Sequence, residues 1–150
     1  MPDASYAPKV YMKQGGDELV VASGGQINVE SGGKVTKNLS VANITTAGAG
    51  TYTAAQLAGG VITRDPAGAA RTDTTDTAAE IIAAMLLDND GDSDFCHVIN
   101  TADAAEAITI AGGTGVTVSN AGQTIAQNES AVLLFRRTSA TAVTVYVLGA

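Results

Sequence analysis

Asp88, Asp90, Asp92 and Asp94 occupy alternate positions of the run DNDGDSD. Alternate carboxylates suit a hard cation, so calcium is the chemistry this run could support. Its spacing departs from that of a helix–loop–helix calcium loop. Counted from Asp88, the sixth residue is Ser93 where a glycine is needed, and the twelfth is Ile99 where a bidentate glutamate is needed. The run therefore reads first as a solvated acidic turn, and no metal ligand is assigned.

Cys96 and His97 are the one neighbouring nucleophile and base. In a strand, consecutive side chains point to opposite faces, so these two would not meet. The chain has one Cys and one His, which leaves no internal disulfide and no zinc set. Glycine pairs at Gly15-Gly16, Gly24-Gly25 and Gly32-Gly33 raise the thought of a phosphate cradle. They lack the GxxxxGK[ST] and GxGxxG spacings, and no helix pattern follows them. Aromatic residues make up 4% of the chain, too few for the platforms on which sugars stack. No catalytic or cofactor-binding residue is assigned, and the expectation is a protein that is not an enzyme.

The elements around these residues can be read locally. Thr77-Ala78-Ala79-Glu80 fits a capping box, with Asp73 and Asp76 adding negative charge at the helix start. Ile81, Ile82, Met85 and Leu86 form one apolar stripe at helical period, which predicts a helix of roughly ten residues lying on a sheet. Asp65-Pro66-Ala67-Gly68 predicts a type I turn, entered by a strand carrying Val61 and Ile62. Arg64 and Arg71 flank that turn and read as solvated charges or as partners of Asp65 and Asp73, with contact to a partner surface as the alternative. Further strands are predicted over residues 95–100, 107–111, 116–119, 124–127, 131–137 and 142–148. In the last, Val143, Val145 and Val147 alternate with Thr144, Tyr146 and Leu148.

The expected organisation is mainly β: a glycine-punctuated arm over residues 1–42, a linker over 43–50, and a body over 51–150 built as a β-sandwich or barrel with one short helix. Residues 1–14 form a polar leader with Pro2 and Pro8. In the arm, DELVVAS and QINVES lie between the glycine pairs and suggest a meander or a few rungs of solenoid. Net charge is −7 and uneven. Residues 1–50 balance, whereas residues 51–94 set two arginines against eight carboxylates. Without a basic patch, nucleic acid is not an expected partner. No apolar run has signal-peptide or membrane-spanning length, so synthesis in a cytoplasm is expected.

Two stretches together resemble a known family. YMKQGGDELVVASGGQINVESGG (residues 11–33) resembles the N-terminal segments of head-fibre and capsid decoration proteins of tailed bacteriophages. LAGGVITRDPAGAARTDTTDTAAEIIAAM (57–85) and NTADAAEAITIAGGTGVTV (100–118) resemble the body of small phage cement proteins. These are compositional, glycine-marked motifs over about half the chain, without an invariant chemical signature. The resemblance implies a mainly-β protein, commonly a homotrimer, outside an assembled phage head, with the major capsid protein and itself as partners. It carries over no catalytic residue. The alternative is a fibre or receptor-binding module whose loops in residues 95–150 recognise a host surface.

Overall fold

The computed structural model describes residues 9–12, 14–16, 19–22 and 24–149. The expected leader therefore falls largely outside the described residues, as do Asp17, Glu18 and Ser23 of the glycine-marked stretch. Strand accounts for 42% and helix for 10%, so the chain is mainly β. It divides into two units between Lys37 and Asn38.

In the first unit, β1 (Val10–Met12) and β2 (Leu19–Val21) pair antiparallel, Tyr11 opposite Val20. Gly15 and Gly16, with φ of 109° and 79°, turn the chain between them in a conformation that a side chain would oppose. QINVES, expected as a strand, forms none. Turns close at either side of it, where Gly25 N–H meets Ala22 O and Gly33 N–H meets Glu30 O, both at 2.8 Å.

The second unit begins inside the segment expected to be arm and linker. β3 (Ser40–Ile44) spans that expected boundary, because its backbone is paired with β5 (Gly60–Arg64) in parallel, Ala42 opposite Ile62. Between them come β4 (Thr51–Tyr52) and α1 (Ala54–Gly59). After β5 the pattern repeats with β6 (Arg71–Thr75), α2 (Ala78–Met85) and β7 (Ser93–Asn100). β3, β5 and β7 lie parallel in one sheet, while β4, β6 and β8 (Ile108–Ala111) lie parallel in another. Successive passages of the chain thus stack in parallel. The stacking sought in the glycine-marked arm belongs to residues 40–111.

The rest of the chain covers one end of that stack. β9 (Val116–Val118) and β10 (Thr124–Ile125) lead to the long hairpin β11 (Ser130–Ser139) and β12 (Ala142–Leu148). β10 closes antiparallel on β8, and β11 closes antiparallel on β7. The sheet orders are β3-β5-β7-β11-β12-β9 and β10-β8-β6-β4, so β3 and β4 are left as edges at the same end of the stack.

One core joins both sheets and both helices: Ile62, Val98, Leu133, Phe135 and Val145 from the larger sheet, Tyr52, Ile108 and Ile125 from the smaller, Leu57 and Ile81 from the helices. Each such side chain contributes about 1.5–3 kcal/mol on burial. The alternation expected for β12 is present, with Val143, Val145 and Val147 buried.

Three local expectations are corrected. Two helices form among the described residues, not one; α1 starts at Thr53, whose side chain takes the Gln56 N–H while Gln56 Oε1 takes the Thr53 N–H, a complete capping box. Leu86 does not join the apolar stripe of α2. It caps the helix in the left-handed region (φ 54°), stands 76% exposed, and leaves Leu87 to fill the core. The DPAG turn is not type I, because Ala67 has φ 52°; Asp65 Oδ1 takes the Ala67 N–H at 2.9 Å, and Gly68 N–H turns to Glu106.

Candidate functional site

Three parallel strands deliver their C-terminal ends side by side. Loop 45–50 follows β3, loop 65–70 follows β5 and loop 101–107 follows β7. Parallel register brings these loops together, and most of the buried polar groups gather beneath them.

Arg64, the last residue of β5, is fully buried. Its Nε donates to Asp73 Oδ2 at 2.7 Å, and its Nη2 reaches Asp73 Oδ1 at 3.3 Å. Nη1 donates to Thr46 O and Asp65 O, and Nη2 to Gly48 O. One guanidinium thus ties loop 45–50 to the end of β5. Asp73, also fully buried, accepts in addition the Gly50 N–H at 2.6 Å and the Tyr52 hydroxyl at 2.9 Å. Burial alone would raise the Asp73 carboxyl. The hydrogen bonds from Arg64, Gly50 and Tyr52 outweigh it and hold the group below the usual carboxylate range. Burial likewise opposes the Arg64 charge, and Asp73 more than restores it. Burial, then the Asp73 charge, pushes the Tyr52 phenol up, so it remains a donor.

This network shapes a cavity of about 390 Å³ lined by Asn43, Ile44, Thr46, Ala49, Gly50, Thr51 and Gln56. Its lining comes wholly from the stretch around the expected linker. Amide, hydroxyl and backbone groups dominate it, and it contains no titratable side chain.

Beside it, one oxygen from each of Asp65, Asp103 and Glu106 lies within 4.8 Å of the others, the one such carboxylate group among the described residues. Asn100, fully buried, anchors this second loop: its Nδ2 donates to Glu106 O and Ile125 O, and its Oδ1 accepts the Ala102 N–H.

The acidic run and the Cys–His pair singled out by sequence fall elsewhere. Asp88, Asp90, Asp92 and Asp94 do not converge. Asp90 pairs with Arg137 at 3.1 Å, Asp92 Oδ2 accepts the Asn89 N–H, and Asp94 Oδ1 accepts the Phe95 N–H. Arg137 also donates to the carbonyls of Leu87 and Asp88, so β11 clamps the acidic turn from its own strand. Cys96 is buried and His97 exposed, on opposite faces of β7. Arg64 pairs with Asp73, as one reading had it, but in the interior rather than in solvent. Asp76 bridges two helix starts: Oδ1 takes the Thr77 N–H at 2.8 Å, and Oδ2 takes the Ala54 N–H at 2.9 Å.

No family model, curated protein or solved structure matches the chain. No helix among the described residues is long and apolar enough to cross a membrane.

Proposed function

We propose that this chain is a capsid decoration protein: it adheres to the outside of an assembled phage head, the major capsid protein, stabilises it, and carries out no covalent chemistry. The observation that carries the reading is the number of large apolar side chains held outside the core. Val10, Tyr11, Met12, Leu19, Val21, Ile27, Val29, Val35 and Leu39 are all exposed. On the six-stranded sheet, Val41, Val61, His97, Val132 and Leu148 follow one another across five strands, on the face opposite the core. Phe95, Leu134 and Tyr146 form the next row. A sheet face left to water ordinarily presents polar residues, whether its strands run parallel, as β3, β5 and β7 do, or antiparallel, as β7, β11 and β12 do; apolar rows of this kind mark association surfaces. The resemblance of residues 11–33, 57–85 and 100–118 to decoration proteins supplies the particular partner.

In this reading the arm, first bounded at residues 1–42 and cut back to 1–37 because β3 belongs to the second unit, docks on the shell, and the outward face of the larger sheet joins copies of the chain, as a homotrimer. A protein that binds only the assembled shell stabilises it by mass action, and joined copies gain effective concentration. The body is read as the sandwich form rather than a barrel. Its support is that two separate sheets contribute inward residues to one core while each retains its own edges.

The test is decoration of purified heads by the full chain and by a chain starting at Asn38. The full chain should bind heads and raise the temperature at which they open, and the shortened chain should fold but leave heads bare. Decoration by the shortened chain removes the docking role. Failure of the full chain to bind any head, with density for it only at a fibre tip, moves the protein to the receptor-binding alternative.

A further inference from the structure

Glu106 is only 5% exposed, and its two oxygens differ in their surroundings. Oε1 accepts the Gly68 N–H at 2.7 Å, whereas Oε2 is shut off from solvent and no donor of the protein reaches it. An ionised oxygen buried in this way is strongly unfavourable unless a cation or a donor faces it. What does face the Glu106 carboxylate is two more carboxylates, Asp65 and Asp103. Ionised, neither can donate a hydrogen bond. Arg71 is the cation nearest in register, opposite Ile108 with its N–H on Ala107 O. Among the described residues its guanidinium enters no ion pair, and its Nε is itself buried without a partner.

We propose that Asp65, Asp103 and Glu106 bind a hard divalent cation of the calcium class. Calcium takes oxygen ligands at about 2.4 Å, so two ligands on opposite sides of one ion stand about 4.8 Å apart. The three oxygens lie within 4.8 Å of one another, close enough for a single ion to touch all three. Magnesium usually keeps several waters and is held by one or two carboxylates, so a set of three favours calcium. Asp65 and Glu106 each commit one oxygen to a backbone N–H of loop 65–70, which leaves the other for a cation. Asp103 is exposed and gives the ion a way in from solvent. Asn100 holds the Glu106 carbonyl at 2.6 Å, so the deepest ligand is fixed in advance. A bound ion would fasten loop 65–70 to loop 101–107 at the ends of β5 and β7. The inference does not depend on the decoration reading; it concerns the isolated chain.

Calorimetric titration of the full chain with calcium chloride, paired with thermal unfolding in calcium and in EDTA, tests it. One calcium per chain is expected, with a Kd no weaker than about 1 mM, and a higher Tm in calcium than in EDTA. Asp103→Asn, at the exposed ligand, should weaken binding at least about tenfold while leaving Tm in EDTA unchanged or higher. Glu106→Gln should abolish binding; should it fail to fold, Asp103→Asn and Asp65→Asn decide. The pair Asp90→Asn and Asp92→Asn should bind calcium as the wild type does. No heat and no Tm shift up to about 5 mM calcium overturns the site, since that exceeds the weak end of known calcium sites. So does binding that survives Asp65→Asn with Asp103→Asn, or binding lost only in the Asp90 and Asp92 pair.

Discussion

Arg64 Nε lies 2.7 Å from Asp73 Oδ2, with both side chains sealed from solvent. The pair is not an isolated bridge. Between them the two residues hold Thr46, Gly48, Gly50 and Tyr52 through further hydrogen bonds. Exchange for apolar residues, which is often harmless for a buried ion pair, would here strand several backbone groups.

Asp73→Asn should therefore destabilise the second unit by about 3–5 kcal/mol, because it leaves Arg64 buried without a counter-charge. Arg64→Lys should also be strongly destabilising, since a single ammonium cannot serve the forked set of acceptors. Urea unfolding followed by circular dichroism measures both. A loss under about 1 kcal/mol for either would mean that solvent reaches the pair.

The same carboxylate sets an acid limit. Its folded pKa lies below its unfolded value, so the stability it contributes is complete above the ordinary carboxylate range and is lost as pH falls through the folded value. Thermal unfolding scanned from about pH 5 down to about pH 2 should show a fall in Tm that is shallower in Asp73→Asn than in the wild type. Parallel falls would assign the acid sensitivity to other groups.

Asp76 holds the first turns of both helices, one through each carboxylate oxygen. Asp76→Ala should cost about 2–4 kcal/mol, since each hydrogen bond to a charged group is worth roughly 1.5–3 kcal/mol and part is recovered by water. Thr77→Ala should cost less, about 0.5–1 kcal/mol, because its cap contact with the Glu80 N–H is long at 3.4 Å. Equal losses in chemical denaturation would contradict the bridge.

Gly113 and Gly122 should respond differently to alanine. A Cβ on Gly113 would stand 2.5 Å from the carbonyl oxygens of Thr75 and Asp76, which are backbone atoms and cannot step aside. Gly113→Ala should lower stability by about 3 kcal/mol or prevent folding. At Gly122 the space is open and only its φ of 92° opposes a side chain, so alanine there should cost about 1 kcal/mol. Comparison of the two unfolding midpoints checks the order.

The outward rows of the larger sheet give a prediction for association. Val41→Asp with Phe95→Asp, at residues 64% and 47% exposed, should leave the Tm of the dissociated chain nearly unchanged. Light scattering should find the wild type as a multimer and the variant as a monomer. A multimer that survives both charges would place the contact between copies elsewhere.

The long hairpin was legible in the residues because strand alternation is written at short range: Val143, Val145 and Val147 bury one face whatever they pair with. The start of α2 at Thr77 was legible for the same reason, although only half of the expected box forms: Thr77 Oγ1 takes the Glu80 N–H, while the Thr77 N–H goes to Asp76 Oδ1 and Asp73 is drawn away to Arg64. The equivalent Thr53–Gln56 signal sat in plain view at α1, but Gly59-Gly60 end the helix after six residues, too few to show an apolar stripe at helical period. Parallel pairing was not legible. Val41, Val61 and His97 become neighbours only after the chain has crossed through the second sheet and a helix each time, and no local pattern encodes that register. Arg64 and Asp73 illustrate the consequence: nine residues apart, they could be paired from sequence, but only the stacking of β4 and β6 beside β5 removed both from water. Asp65 and Glu106, likewise, are ordinary surface residues by composition. They face each other because β5 and β7 run in the same direction and end together. Local chemistry chose the strands, the caps and the turns; the order in which distant strands close on one another chose where charge is buried.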